Sequence, residues 1–335
     1  MKFDLYIFNS YVPELDGDGP ELYAKWTEQV VLGEELGFHC AWLTEHHFGR
    51  FGGMLPNPQI LMGALAQHTQ RIRLGTAVTL LPLHNPLRIA EDIAMLDIMS
   101  NGRIDVGVGR GMDWIRFDVF GSDPKTAQER LEESIGVLQD AWTKERCAWD
   151  GRFFQAAGPI TVLPRPVQQP HPPIWMTANR DPAHFRWIAE HGLNLMTIPW
   201  TAPSMDESRR LIGEYRAALR EFGTDHMGLK TLGLFPVFVA DTVEEAREVE
   251  PYWINMRGIA AESRGLQETV IPTYEQVASQ GRAFFGDPEM CRQFLKTIRD
   301  FDFDQLALQF QFGGLPQDKA LKSMRLFMTQ VAPAY

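Results

Sequence analysis

The run Cys40-Ala41-Trp42-Leu43-Thr44-Glu45-His46-His47-Phe48 is an apolar stretch of strand length that ends in one carboxylate and two imidazoles. An imidazole titrates near neutral pH and can give or take a proton there, and a carboxylate beside it can fix its orientation. Core packing accounts for the apolar stretch but not for three ionisable groups at its end. His46 is therefore a candidate catalytic residue. Glu45 either holds the imidazole or the nearby backbone in place, or is a structural buried acid. A second group is Gly107-Val108-Gly109-Arg110-Gly111. The Arg110 guanidinium offers a rigid fork of donors suited to a phosphate, and its glycine neighbours let a ligand approach the backbone. The competing reading is an ion pair with a helix acid. The spacing is not that of a dinucleotide-binding glycine loop. A third group, Ala178-Asn179-Arg180-Asp181, lies between a strand pattern and a helix pattern, where free N–H groups at a helix start can hold a phosphate.

Other chemistries lack their residues. No histidine pair has zinc-ligand spacing and no GxSxG elbow is present, so neither a metal site nor a hydrolase nucleophile is expected. The net charge of -11 and the absence of a Lys/Arg run argue against a nucleic-acid partner. Three widely spaced cysteines, Cys40, Cys147 and Cys291, read as reduced thiols of a cytoplasmic protein. No signal-peptide pattern or membrane-length apolar run is seen.

The elements that must position these groups follow from periodicity. Strands are predicted at 3–8, 40–44, 72–80, 103–108, 174–177, 193–198, 229–239 and 306–311. Helices are predicted at 20–36, 59–69, 87–99, 126–142, 182–190, 205–221 and 317–329, with a further helix opening at Asp287-Pro288. Eight such βα units with no linker over residues 1–335 predict one (β/α)8 TIM-barrel domain with insertions. Its candidate chemistry then falls at the C-terminal strand ends. Residues 145–172, dense in aromatics and prolines, are expected to form an ordered excursion with a small hairpin. Residues 242–285 read as mostly helical, with little strand signal, and are a candidate lid. Asn9, Tyr11, Met112, Phe117 and Trp200 follow strand ends and are candidate pocket residues.

Taken together, Met1-Lys2-Phe3, Pro13-Glu14-Leu15, Glu45-His46-His47-Phe48, Gly75-Thr76-Ala77-Val78, Glu91-Asp92, Leu96 to Arg103, Gly107 to Gly111 and Gln309 to Gly314 resemble the bacterial luciferase-like flavin monooxygenases, in particular the alkanal-monooxygenase branch. The resemblance implies a TIM barrel that uses reduced FMN as a co-substrate, delivered by a separate NAD(P)H:flavin reductase. It implies molecular oxygen, a flavin C4a-(hydro)peroxide and a small organic substrate, with the chain forming a homodimer through helices 59–69 and 87–99. It carries the catalytic imidazole onto His46 and phosphate contacts onto Arg110 and the turn Ala178, Asn179, Arg180 and Asp181. It also carries a non-prolyl cis peptide beneath the flavin ring onto Ala77 and Val78. The chain departs from the luciferases at Gly109, where they have a reactive cysteine, and at the 178–181 turn, where small hydroxyl residues are usual. Two other readings stand beside this one: a deazaflavin (F420)-dependent hydride-transfer oxidoreductase on the same barrel, and a catalytically silent flavin-binding partner subunit.

Overall fold

The computed structural model describes residues 1–8, 10–111, 114–266 and 270–335, with only the backbone of Trp114. Nine strands form one parallel sheet. They are β1 (Lys2–Ile7), β2 (Cys40–Leu43), β3 (Arg73–Thr76), β4 (Ile104–Val108), β5 (Ile174–Thr177), β6 (Asn194–Thr197), β7 (Thr231–Val239), β8 (Phe284–Gly286) and β9 (Gln305–Gln309). β1 to β7 pair in sequence order from β1 through β6, β6 pairs β7, and β9 closes the ring between β7 and β1. The result is a closed eight-stranded parallel barrel wrapped in helices, as the eight βα units predict.

Local chemistry sets the helix starts. Four helices, Pro58–His68, Pro86–Met99, Pro182–Glu190 and Pro288–Ile298, begin with proline directly after a capping residue. Asn57, Asn85, Asp181 and Asp287 each accept a hydrogen bond from a first-turn N–H. The proline has no N–H to leave unpaired and its ring fixes the helical φ. These Asx-Pro pairs stop the chain sharply at the loop and release it into the helix.

Two expectations need correction. The predicted strand at 72–80 ends at Thr76, because the next bond, Ala77–Val78, is a cis peptide and the chain turns into a 3-10 helix at Leu81–Leu83. The segment 242–285 contains helices Val243–Ala246, Glu250–Glu262 and Tyr274–Ser279, and also enters β8 at Phe284. β8 pairs Phe284, Phe285 and Gly286 with Val237, Phe238 and Val239 of the long β7. Three residues are too few to show a period of two, so this strand is invisible to pattern reading. The excursion at 145–172 holds the antiparallel bridges Cys147↔Ile160 and Asp150↔Gln155, the small hairpin expected there.

The barrel interior is filled by Cys40, Trp42, Trp175, Met196, Leu232, Leu234 and Ala307. Its indoles are satisfied by buried acids: Trp42 Nε1 donates to Asp4 at 2.8 Å and Trp175 Nε1 to Asp105 at 3.0 Å. Burial pushes the Asp4 carboxyl up to about 8, and its second oxygen has no hydrogen-bond partner. Arg73 pairs with Asp105. These side chains pack the barrel interior, so it is a core and not a pore. The cysteines are all buried and free.

Candidate active site at the C-terminal mouth

His46 lies three residues beyond β2. Its ring sits edge-on to Phe8 at 5.2 Å and to Phe51 at 5.4 Å, and its backbone N–H donates to the Leu55 carbonyl at 3.2 Å. Arg116, from the short helix Trp114–Val119, places Nη2 3.1 Å from His46 Nδ1, while its Nε donates to the His47 carbonyl at 3.3 Å. Arginine can only donate, so Nδ1 must accept and the ring proton resides on Nε2. Burial, followed by the Arg116 charge, pulls the His46 imidazole down to about 3. Among the described residues Nε2 has no hydrogen-bond partner. His46 is thus a neutral imidazole of fixed tautomer with one nitrogen left for a ligand.

Glu45 faces elsewhere. Its Oε1 accepts from His47 Nε2 at 2.9 Å and His84 Nε2 at 2.7 Å, and its Oε2 from the Leu80 N–H at 2.9 Å. Burial would raise its pKa, but the hydrogen bonds of His47, His84 and Leu80 prevail and hold the carboxyl down at about 2. The same contact raises the His84 imidazole, against the desolvation that would lower it. Glu45 therefore fastens the loop after β2 to the loop after β3 and does not touch the His46 ring.

Ala77 and Val78 form the cis peptide that the resemblance implies. The segment is clamped on both sides: Ala77 N–H donates to Leu43 O at 2.7 Å and Thr79 N–H to Gly107 O at 2.8 Å. The glycine at 109 is required by this clamp. A Cβ there would lie 2.5 Å from Val78 Cγ2 and 3.0 Å from Thr177 Oγ1, so a cysteine would not fit without displacement. Arg110 follows at the end of β4. It is exposed, and no acid or carbonyl engages its guanidinium among the described residues.

At the end of β5, Ala178 is buried while Arg180 and Asp181 are exposed. Asn179 Oδ1 accepts from Ile198 N–H at 2.7 Å and Thr197 Oγ1 at 3.3 Å, tying the ends of β5 and β6. Asp181 caps Ala183 N–H at 2.9 Å. The turn thus offers Arg180 and its remaining N–H groups to an anion, while Asn179 and Asp181 are engaged in shaping it.

The remaining candidates divide. Tyr11 is held through its hydroxyl, which donates to Gly17 O at 2.9 Å, and Phe117 is buried. Asn9 and Met112 lie outside the described residues. Trp200 meets Trp253 of the helix Glu250–Glu262 edge-on at 5.7 Å. That helix covers the mouth: Asn255 Nδ2 donates to Gly313 O at 3.0 Å, Gln309 Nε2 lies 3.9 Å from Met256 Sδ, and Glu262 pairs with Arg50 at 2.5 Å. Gly313 has φ 58 and a Cβ there would stand 1.9 Å from Tyr252 O, so only glycine lets the helix approach this closely. Arg116 and His84 are the functional neighbours that sequence reasoning missed. The signal for Arg116 was one of two charges, with Asp118, inside the otherwise apolar run Trp114 to Phe120. His84 carried none, because its partner is 39 residues away.

The fold is a closed β/α barrel, with His46, Arg110 and the 178–181 turn all placed after the C-terminal ends of its strands. Residues 1–305 match the luciferase-like monooxygenases, and the chain belongs to that family. It is 27% identical over 352 residues to the oxygenase component of a flavin-dependent trigonelline monooxygenase of Acinetobacter baylyi, covering 100% of this chain and 96% of that protein. It is also similar to the crystal structure of monooxygenase RslO1 from Streptomyces bottropensis, with TM-score 0.90, 28% identity and 100% of both chains covered. An F420-dependent secondary alcohol dehydrogenase shares the fold at TM-score 0.74 and 18% identity, covering 99% of this chain and 98% of that one. The barrel alone therefore does not select the cofactor.

Proposed function

We propose that this chain is the oxygenating component of a two-component, FMN-dependent monooxygenase. It receives reduced FMN from a separate NAD(P)H:flavin reductase and uses O2 to oxygenate a small organic substrate. The observation that carries this reading is His46, a neutral imidazole with Nδ1 engaged by Arg116 and Nε2 left for a reacting group. Family membership and the naming of a relative as a flavin-dependent oxygenase component support the cofactor and the separate reductase.

The residues present suit FMN. Arg110, exposed beside two glycines and without an acid, supplies positive charge for the phosphate, with Arg180 and the turn 178–181 alongside. The clamped Ala77–Val78 segment offers a flat backbone surface for the ring. The reduced flavin, when bound, supplies the electrons that activate oxygen. His46 Nε2–H then donates a hydrogen bond to the reacting oxygen. Glu45 acts one step removed, holding the two loops that frame the mouth. The helix Glu250–Glu262 excludes water. The protein is read as cytoplasmic, and no helix among the described residues is long and apolar enough to cross a membrane. Homodimerisation through helices Pro58–His68 and Pro86–Met99 fits their apolar exposure, with Ile60 at 74% and Met95 at 51%.

Anaerobic titration with reduced FMN, followed by mixing with O2, tests the reading. Reduced FMN should bind, and its reoxidation should be slower than that of free reduced FMN and faster again in His46→Ala. Binding of reduced F420 in place of reduced FMN would move the protein to hydride transfer. Flavin binding with reoxidation at the free rate in both proteins would leave a silent flavin-binding subunit.

A further inference from the structure

Arg257 stands out among the charged residues of the mouth. It lies on the helix Glu250–Glu262, one turn after Trp253, with its guanidinium carbon 5.7 Å from the Trp253 ring and 5.4 Å from that of Trp200. Indole faces are favourable to a desolvated cation but provide no acceptor for its N–H groups. Arg257 Nε is buried without a hydrogen-bond partner, and so is Trp200 Nε1. Among the described residues no carboxylate pairs with Arg257. The charges that face it are Arg264 and Arg282, which together with burial lower its pKa. Arg282 is itself committed, donating to the Trp200, Ala202 and Pro203 carbonyls at 2.8, 3.0 and 3.0 Å. Glu262, the nearest helix acid in sequence, is paired with Arg50.

Such an arrangement is incomplete among the described residues. In a chain of net charge -11, a guanidinium fixed between two indoles, with two more arginines nearby and an indole N–H left over, meets no acceptor-bearing anion among them. Its position specifies which anion would complete it. The helix bearing Arg257 reaches the end of β9 through Met256, and Gln309 there lies 3.4 Å from the carbonyl of Phe8, whose ring touches His46. Trp200 follows the end of β6, whereas Arg110 stands at the end of β4 with β5 between them.

We infer that Arg257, held by Trp200 and Trp253, is the recognition point for a carboxylate on the organic substrate, so the enzyme acts on organic acids. The inference rests on the monooxygenase reading only in calling the ligand a substrate. An oxyanion of the same chemistry could come from the flavin phosphate, and the experiment separates the two.

Benzoate and benzamide have the same shape and differ in charge. Their binding to the full chain, with and without FMN, is measured by isothermal titration calorimetry for the wild type, Arg257→Met and Arg257→Lys, each shown to be folded by circular dichroism. Wild type should favour benzoate over benzamide by about tenfold or more. Arg257→Met should lose that preference, Arg257→Lys should regain part of it, and FMN affinity should stay within about twofold in both. Equal affinity for the two probes, no binding of benzoate, or an unchanged preference in Arg257→Met overturns the inference. A loss of FMN affinity in Arg257→Met as large as the loss for benzoate also overturns it and assigns the guanidinium to the phosphate. Selective benzoate binding by a wild type that does not bind reduced FMN under anaerobic conditions would refute the monooxygenase reading and leave the carboxylate site standing.

Discussion

Arg116 Nη2 lies 3.1 Å from His46 Nδ1, a contact between residues 70 apart that decides which nitrogen of the imidazole carries the proton. A carboxylate in that position would favour imidazolium. A guanidinium disfavours it, and the ring is neutral throughout the physiological range.

Replacing Arg116 by methionine removes that charge and raises the His46 pKa from about 3, although burial, the larger cause, still holds it below the ordinary imidazole value. Wild-type oxygenation should be flat on the acid side down to the limit of protein stability. Arg116→Met should show an acid limb at higher pH, and Arg116→Lys should move it back. Nitrogen NMR of the histidine ring should report Nε2–H in the wild type and mixed tautomers in the methionine variant. A pH profile and tautomer unchanged by Arg116→Met would refute the positioning role.

Arg110→Ala should weaken FMN binding by about 10–100-fold, the range for losing a charge-assisted contact to a phosphate. Turnover should return at saturating FMN, because the proposed role of Arg110 is to bind the phosphate, away from the reacting atoms. A titration of flavin absorbance checks the first point, and rates at high FMN the second. A lower saturated rate with unchanged affinity would contradict it.

Gly109→Cys restores the residue type expected from the luciferases, into space occupied by Val78 Cγ2 at 2.5 Å from the new Cβ. Overpacking of this kind costs about 1–3 kcal/mol. Chemical denaturation should show that loss, and the smaller Gly109→Ala should show most of it, because the Cβ itself makes the clash. Wild-type stability in both variants would mean that the clamp at Ala77–Val78 yields freely.

Asp4 gives the fold a pH dependence. Its carboxyl is raised to about 8 in the folded chain from an ordinary 3.8, so the folded state holds a proton that the unfolded state has released between those values. Its stabilising contribution is complete below about pH 4 and is lost as pH rises toward 8, with a slope of at most about 1.4 kcal/mol per pH unit. Asp4→Asn keeps an acceptor for Trp42 and cannot ionise. Its stability should exceed that of the wild type increasingly from pH 5 to pH 8, and parallel curves would exclude Asp4 as the source.

The barrel was legible because short, mostly apolar strand segments alternate with helix patterns, and because Asn or Asp before proline marks where helices begin. The cis peptide at Ala77–Val78 was legible through the resemblance. What sequence could not show was pairing over distance. Sequence left Glu45 open between holding the imidazole, holding nearby backbone, or standing as a structural buried acid, because successive side chains leave a chain in different directions. Its carboxylate meets His47, His84 and the Leu80 N–H. Arg116 and Arg257 become significant only when packing brings a ring nitrogen to one and two indoles to the other.

β7 carries a last consequence. Its lower half closes the barrel against β6 and β9, and its upper half, Val237–Val239, receives β8. The chain between them, with the helix that bears Trp253 and Arg257, leaves and rejoins the sheet on a single strand. It is in effect a cassette mounted on one rail. Exchanging it between relatives should alter which substrates are accepted while leaving the proposed flavin end of the mouth, on β3 to β5, as it is.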